Sequence, residues 1–468
     1  MAIFAAFSPP THEMNNLKQR LKATWMTGDY DLFSRYMETD ARLFFHRIGV
    51  APGARMLDVG CGAGQLALIA ARAGAQVTGC DIATNWVERA RARAKAEGLS
   101  ATFDEGDAEG LPYGDASFDV VASLIGAMFA PRPELVASEL KRVCKPGGKI
   151  AMANWTPQGF VGQMFKIVAK FIAPSGMPSP VLWGDEATVH DRLGNGVVEV
   201  RCARRFYEFD YPFEPEEVAD FFRDHYGPVS RAFASLDDAG QARLREELAT
   251  LWASNNRAEG GRTLVDAEYL EVIATRGADI PVWTGVEGNT QGARAGLLAD
   301  RLEEGAMRLA AFAETLTDEE WNTPVIENGK PGRSAGVIVH HVASMYPIEM
   351  DAARSISNGQ AVTSVTWEAV SALNAKHAHE NANVTRAQAL SLLRTNSQAA
   401  AAAVREFTDQ QLDRAAPFSL SHGAPVTAQF VLEDHAVRHS WHHLARIRKA
   451  VTGARQKPAS AIGERLIT

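Results

Sequence analysis

Cysteine is scarce in this sequence. Four residues in 468 (Cys61, Cys80, Cys144, Cys202) stand in the first half, with no Cys-x-x-Cys pair. That disfavours a disulfide framework and a zinc site of cysteines alone, and a reducing, cytoplasmic setting is expected. No apolar run approaches the ~18 residues of a membrane helix. The opening MAIFAAFSPP has no basic region and only a short apolar run, so it does not read as a signal peptide. Positive charge is not in excess: 48 Lys and Arg face 56 Asp and Glu, for a net charge of −8. After residue 285 the balance is 18 to 19, so neither part is basic and nucleic acid is not the expected partner. No repeat of 20–50 residues is found. What is present is globular: 46% hydrophobic and 22% charged residues. At ~150 residues per domain, two to three domains are allowed. Nine of the thirteen histidines lie after residue 330.

Two styles of sequence follow one another. From about 50 to 155, short β-rich runs alternate with helical stretches. Arg55–Val59, Gln76–Cys80, Phe118–Leu124 and Lys149–Asn154 read as strands, and a strand-like stretch ends at Gly106-Asp107-Ala108. Gln65–Ala73, Asn85–Gly98 and Pro133–Cys144 read as helices. This rhythm predicts parallel βαβ units with a covered sheet, whose ligands bind beyond the carboxyl ends of the strands. Residues 156–275 read as an irregular elaboration of that domain, and Arg276–Ala293 as a linker. After it the strand signal disappears. Four helices, about Arg294–Thr315, Ser334–Ile356, Arg386–Phe407 and Thr427–Val451, predict a four-helix bundle, followed by a loose tail from Thr452. The expected domains are 1–285 and 286–468.

The first constellation is Leu57-Asp58-Val59-Gly60-Cys61-Gly62-Ala63-Gly64, between a strand and a helix. Glycine permits a tight turn and close approach of a ligand to the backbone. A dinucleotide site wants G-x-G-x-x-G; here the third glycine comes one place early, behind an acidic residue. That suits a ligand with a cationic amino-acid end better than a pyrophosphate. Asp81 ends the next strand, where a carboxylate can accept both hydroxyls of a ribose. Together LDVGCGAG, Asp81, GDAEGLP, FDVV and LKRVCKPGG resemble the class I S-adenosylmethionine-dependent methyltransferases, closest to the small-molecule branch that includes quinone-type methylases. The resemblance implies a Rossmann-like α/β domain. It assigns Asp58 and Gly60 to the methionine end of the cofactor, Asp81 to the ribose, and Asp107 with Ala108 to the adenine, and counts Gly62, Gly64 and Ile82 among the cofactor-binding residues. Trp25 and Tyr30 are candidates to close over it, or to pack an N-terminal helix.

The acceptor is expected to be a small molecule. The place after the fourth strand reads Ser123-Leu124-Ile125-Gly126-Ala127, not the Asp/Asn-Pro-Pro-Tyr/Phe of amino-methylating DNA enzymes, and no Pro-Cys dipeptide exists for cytosine-C5 chemistry. Methyl transfer from a sulfonium needs proximity, orientation and exclusion of water, with a base only where the acceptor must lose a proton early. No catalytic residue is named; His46, His190 and His225 are available as bases or as packing residues. The aromatic run Phe206–Tyr211 reads as core more readily than as an acceptor wall.

The second constellation lies on the bundle. His439 and His443, in HSWHH, are four residues apart and share a helix face. Two imidazoles at that spacing can bind one metal ion, although the glutamate of HExxH is absent. His340-His341 on the second helix can supply a third ligand. VHHVA with HxxHH resembles the DinB-like superfamily of four-helix-bundle metalloproteins, which includes thiol-dependent isomerases and transferases. The resemblance implies a divalent ion on His341, His439 and His443, with His340 the rival of His341. Such a set suits zinc or nickel. His435 and His442 extend the stripe; His377 and His379 read as solvated residues of a polar loop. The whole predicts methyl transfer to a small molecule, a thiol among the options, with a metal-bearing bundle. The alternative is a metal-dependent thiol S-transferase or isomerase in the bundle, beside a separate methyltransferase reaction.

Overall fold

The computed structural model describes residues 12–172, 177–194, 196–277, 293–327, 330–421, 423 and 425–455. Its packing divides the chain into two compact units, Met1–Thr290 and Gln291–Thr468. Apart from its first two residues and Ala293, the expected linker lies outside the described residues, as does the tail beyond Arg455.

The first unit is built on a seven-stranded sheet. In chain order the strands are β1 (Arg55–Val59), β2 (Gln76–Asp81), β3 (Ala101–Glu105), β4 (Phe118–Leu124), β5 (Cys144–Trp155), β6 (Val197–Tyr211) and β7 (Thr263–Arg276). Their spatial order is β3-β2-β1-β4-β5-β7-β6, with β7 antiparallel to both neighbours and β1 to β5 mutually parallel. β1 is buried from Met56 to Val59, as both faces of a parallel sheet require. Three helices cover the first crossovers: α1 (Gln65–Arg72), α2 (Thr84–Ala96) and α3 (Pro133–Val143). An N-terminal helix, His12–Trp25, precedes them.

Two expectations are corrected here. Residues 197–211 and 263–276 are long strands rather than irregular elaboration. Tyr207, Phe209 and Tyr211, two residues apart, turn one aromatic face inward and are at most 1% exposed, while Phe206 is 53% exposed. The fifth strand also begins at Cys144, where a helix end was expected, because Cys144 pairs with Phe118 ahead of a bulge.

The second unit holds the four expected long helices: α4 (Ala293–Glu314), α5 (Ala335–Ser357), α7 (Arg386–Arg405) and α8 (Arg438–Arg455). α8 is preceded by a helical turn, Ala428–Val431, and a π-helical stretch, Leu432–Val437. Leu302, Leu309, Val342, Tyr346, Leu393 and Ile447 form part of its separate core. A further helix, α6 (Trp367–Glu380), stands where a polar loop was expected. Thr366 caps it by accepting the Ala369 N–H at 3.2 Å. Strand pairing does not vanish either: Pro324–Glu327 pairs with Lys330–Ser334, and Ala415–Pro417 with Pro425–Thr427. Among the described residues no helix is long and apolar enough to cross a membrane.

Candidate functional site

A cleft opens beyond the carboxyl ends of β1, β2 and β4. Its floor is the glycine turn. Gly60 takes φ +71°, and a Cβ there would sit 2.6 Å from the Gly126 Cα, so the loops after β1 and β4 touch only because neither carries a side chain. Ile125, between the end of β4 and Gly126, has φ 57°, an uncommon backbone for a β-branched side chain and one that marks strained sites.

Asp81, at the end of β2, accepts the Gly62 N–H at 2.8 Å through one carboxylate oxygen and the Ala83 N–H at 2.8 Å through the other. Burial raises its pKa, and backbone donors from Ala83, Gly62 and Ile82 oppose the rise. Gly60, Gly62, Asp81, Ile82, Asp107 and Ala108 all line the cleft. Asp58 and Gly64 do not. Asp58 is 1% exposed beneath the turn and accepts the Ala67 N–H of α1 at 3.0 Å. Burial pushes its carboxyl up to about 7. Gly64, at φ +82°, starts α1 against Ala90 and Phe103. These two residues shape the turn from behind.

The outer wall comes from upstream sequence. Lys18, Leu21 and Trp25 of the N-terminal helix line the cleft with Tyr30 and Trp86. Trp25 and Tyr30 thus pack against each other on the cleft wall; the Trp86 indole N–H donates to the Trp25 carbonyl at 2.6 Å. Lys18 was not singled out from sequence. Its ammonium lies 2.5 Å from both Asp107 and the buried Glu109. Burial would raise the Glu109 carboxyl, but Arg132 and Lys18 outweigh it and hold the pKa below the ordinary range. His46, His190 and His225 are not on the cleft wall.

These residues fit the expected cofactor. The cleft's side-chain-free floor admits a ligand to the backbone, and the Asp81 carboxylate retains acceptor capacity for hydroxyls.

In the second unit His341 of α5 meets His439 and His443 of α8. Ligand atoms of the three imidazoles lie within 4.8 Å of one another. His341 and His443 are 4% and 5% exposed. Burial holds both neutral, taking His341 down to about 2 and His443 well below its ordinary value. Among the described residues, the Nδ1 atoms of His341 and His443 are buried without a hydrogen-bond partner. The His439 Nδ1 lies 2.6 Å from Glu349 Oε1, which fixes its ring and leaves Nε2 for another partner. Neutral imidazoles with buried lone pairs and a carboxylate behind one of them fit a divalent ion. Glu349 was missed from sequence, although it lies about two turns beyond His341 on the same helix.

His340 does not join this group. Its Nδ1 lies 2.8 Å from His377 Nε2, with the Ser344 hydroxyl beside both. His377, expected in solvent, is 8% exposed on α6, and its ring stands 5.4 Å from that of His341. His379 is exposed. His442 packs on His443, and His435 on Phe418.

Residues 57–152 match the methyltransferase domain family, and residues 301–447 match the DinB superfamily. An uncharacterised protein of Mycobacterium tuberculosis, Rv1405c, is 36% identical over 267 residues, covering 55% of this chain and 97% of that protein. Methyltransferase GfsG of Streptomyces halstedii is 39% identical over 118 residues, 25% of this chain and 42% of the relative. The solved structure of YcgJ from Bacillus subtilis covers 51% of this chain and 97% of its own, at 18% identity and a TM-score of 0.36. The chain thus carries a domain of the methyltransferase family, followed in sequence by a domain of the DinB superfamily.

Proposed function

We propose that this enzyme transfers a methyl group from S-adenosylmethionine to a small-molecule acceptor, a thiol being the first candidate. In this reading residues 1–285 carry the transfer and 286–468 a divalent metal site. The observation that carries it is the Asp81 carboxylate, anchored on the Gly62 and Ala83 N–H groups at the cleft formed by the glycine turn. Asp81 and Ile82 serve the ribose, Asp107 and Ala108 the adenine end, and Gly60 and Gly62 the methionine end; Asp58 and Gly64 hold the turn's shape. Trp25, Tyr30 and Trp86 exclude water over the reacting atoms. When bound, the cofactor supplies an activated sulfonium methyl, so the chain's task is orientation.

His341, His439 and His443 are the ligands we assign to zinc or nickel, with Glu349 orienting His439. A bound divalent ion would supply a lowered thiol pKa. The separate core of the second unit favours an alternative, in which the bundle runs its own metal-dependent thiol transfer or isomerisation.

Incubation of the full chain with methyl-labelled cofactor and a small-molecule cell extract tests the first reading. Mass spectrometry should find one labelled product, reduced when His341→Ala and His439→Ala remove the ion. A product formed at an unchanged rate by both variants rejects the metal's part in it. Absence of any labelled product from an enzyme that binds the cofactor rejects methyl transfer.

A further inference from the structure

Helix α6 is anchored in the second unit by a polar side chain. Of its 14 residues only His377 is buried, while Trp367 and Leu373 stay exposed. A surface helix ordinarily buries an apolar stripe, so the placing of α6 serves this imidazole rather than the core. His377 Nε2 lies 2.8 Å from His340 Nδ1. The Ser344 hydroxyl donates to the His340 carbonyl at 2.8 Å and stands beside both ring nitrogens. This contact fixes the His377 ring and leaves Nδ1 on its far side. Among the described residues that Nδ1 is buried without a hydrogen-bond partner. The ring stands edge-on to that of His341, 5.4 Å between centroids. Yet His377 lies outside the set of nitrogens that come within 4.8 Å of one another.

We propose that His377 is a ligand-binding residue of the metal centre: its Nδ1–H donates to a small anion held in the ion's open position, and His340 positions the ring for this. The inference rests on the assignment of an ion to His341, His439 and His443, and not on methyl transfer. Three protein nitrogens leave a divalent ion room for an exogenous ligand. His377 stands beside His341 but outside the ligating set, so it is placed to meet what the ion holds rather than the ion. A buried ring nitrogen without a partner is costly, and an arriving ligand removes that cost. The His340–His377 contact shares one proton. With that proton on His340 Nδ1, the His377 Nε2 accepts it and His377 carries its own proton on Nδ1, a donor. Charge selects the ligand's sign. Burial above all, then neighbouring imidazoles and the Arg333 guanidinium, lower the pKa of His341, His377 and His443, with Glu380 opposing at His377. A guanidinium thus stands close to the centre, and Glu349, which would repel an anion, is engaged by His439. An anion is drawn to such a place, and an N–H donor is what it accepts.

The test uses the full chain loaded with cobalt(II), whose visible spectrum changes with each ligand it takes. Azide is the anionic probe and imidazole the neutral one. Cobalt affinity is read by competition with a chromophoric chelator, and each probe's Kd from the spectrum. His377→Phe keeps a ring and removes the donor. It should raise the azide Kd by about 10- to 100-fold, the loss of a hydrogen bond to a charged group, while imidazole and cobalt affinities hold. His377→Asn keeps an N–H donor and should recover part of the azide affinity, a difference between variants that a structural role would not produce. His340→Ala, which frees the ring, should raise the azide Kd in the same direction. His377→Ala replaces His377→Phe if circular dichroism shows that the latter has lost its helices. An unchanged azide Kd in a variant without the donor that still binds cobalt overturns the inference and leaves the ion's site standing. So does an equal loss of azide and imidazole affinity. Loss of cobalt affinity in every His377 variant makes His377 a ligand of the ion and also overturns it. Failure of the unaltered chain to bind cobalt overturns both this inference and the metal assignment.

Discussion

Asp58 and Glu349 stand behind the groups proposed to meet ligands, and for each a measurable effect is predicted. Burial lifts the Asp58 carboxyl to about 7 in the folded chain, against ~3.9 in an unfolded one. The folded state therefore holds that proton more tightly. Its contribution to stability is complete below about pH 4, declines as pH rises, and is gone above about pH 7. Asp58→Asn should flatten part of the fall in Tm between pH 4 and 7, leaving the part due to Asp40 and Asp81, which burial also raises. Identical Tm profiles for the two proteins would show that Asp58 does not titrate in this range. Glu349 fixes the ring of His439 through Nδ1. Glu349→Gln should weaken zinc binding by about 10- to 100-fold, measured by competition with a chromophoric chelator. Unaltered affinity would remove Glu349 from the site.

At the level of elements, the contact between the loops after β1 and β4 depends on missing side chains. Gly60→Ala would place a Cβ 2.6 Å from the Gly126 Cα at a positive φ. We expect a loss of about 1–3 kcal/mol in urea unfolding, with weaker cofactor binding; an unshifted midpoint would mean the loops are free to part. This turn was legible from sequence because glycines at alternate positions between a strand and a helix have few other uses. The parallel strands were legible because burial on both faces makes them apolar throughout. β6 and β7 were not. Arg201, Arg204 and Arg205 on β6 broke the apolar signal, although Tyr207, Phe209 and Tyr211 keep the period of two. Helix α6 hid for a related reason: the residue it buries is His377, not an aliphatic one. Lys18 and Glu349 were invisible for a third reason. Their roles depend on Asp107 and His439, each about ninety positions away in the chain.

For the whole molecule, two compact units with separate cores predict separate unfolding. Calorimetry should resolve two transitions. S-adenosylhomocysteine should raise one of them, and a chelator added to zinc-loaded protein should lower the other. A single transition that both reagents move would show that the units fold as one. The lopsided histidine distribution belongs to the second unit, where it becomes a triad with a carboxylate behind it and a His340–His377 pair alongside. The account stands or falls on the first unit's cleft. Its most direct test is calorimetric titration of S-adenosylhomocysteine into the full chain and into Asp81→Asn. We predict one site per chain, with affinity about 10- to 100-fold lower in the variant, the loss expected for a charge-assisted hydrogen bond. Equal affinity in the two proteins, or no binding to the unaltered chain, would contradict it.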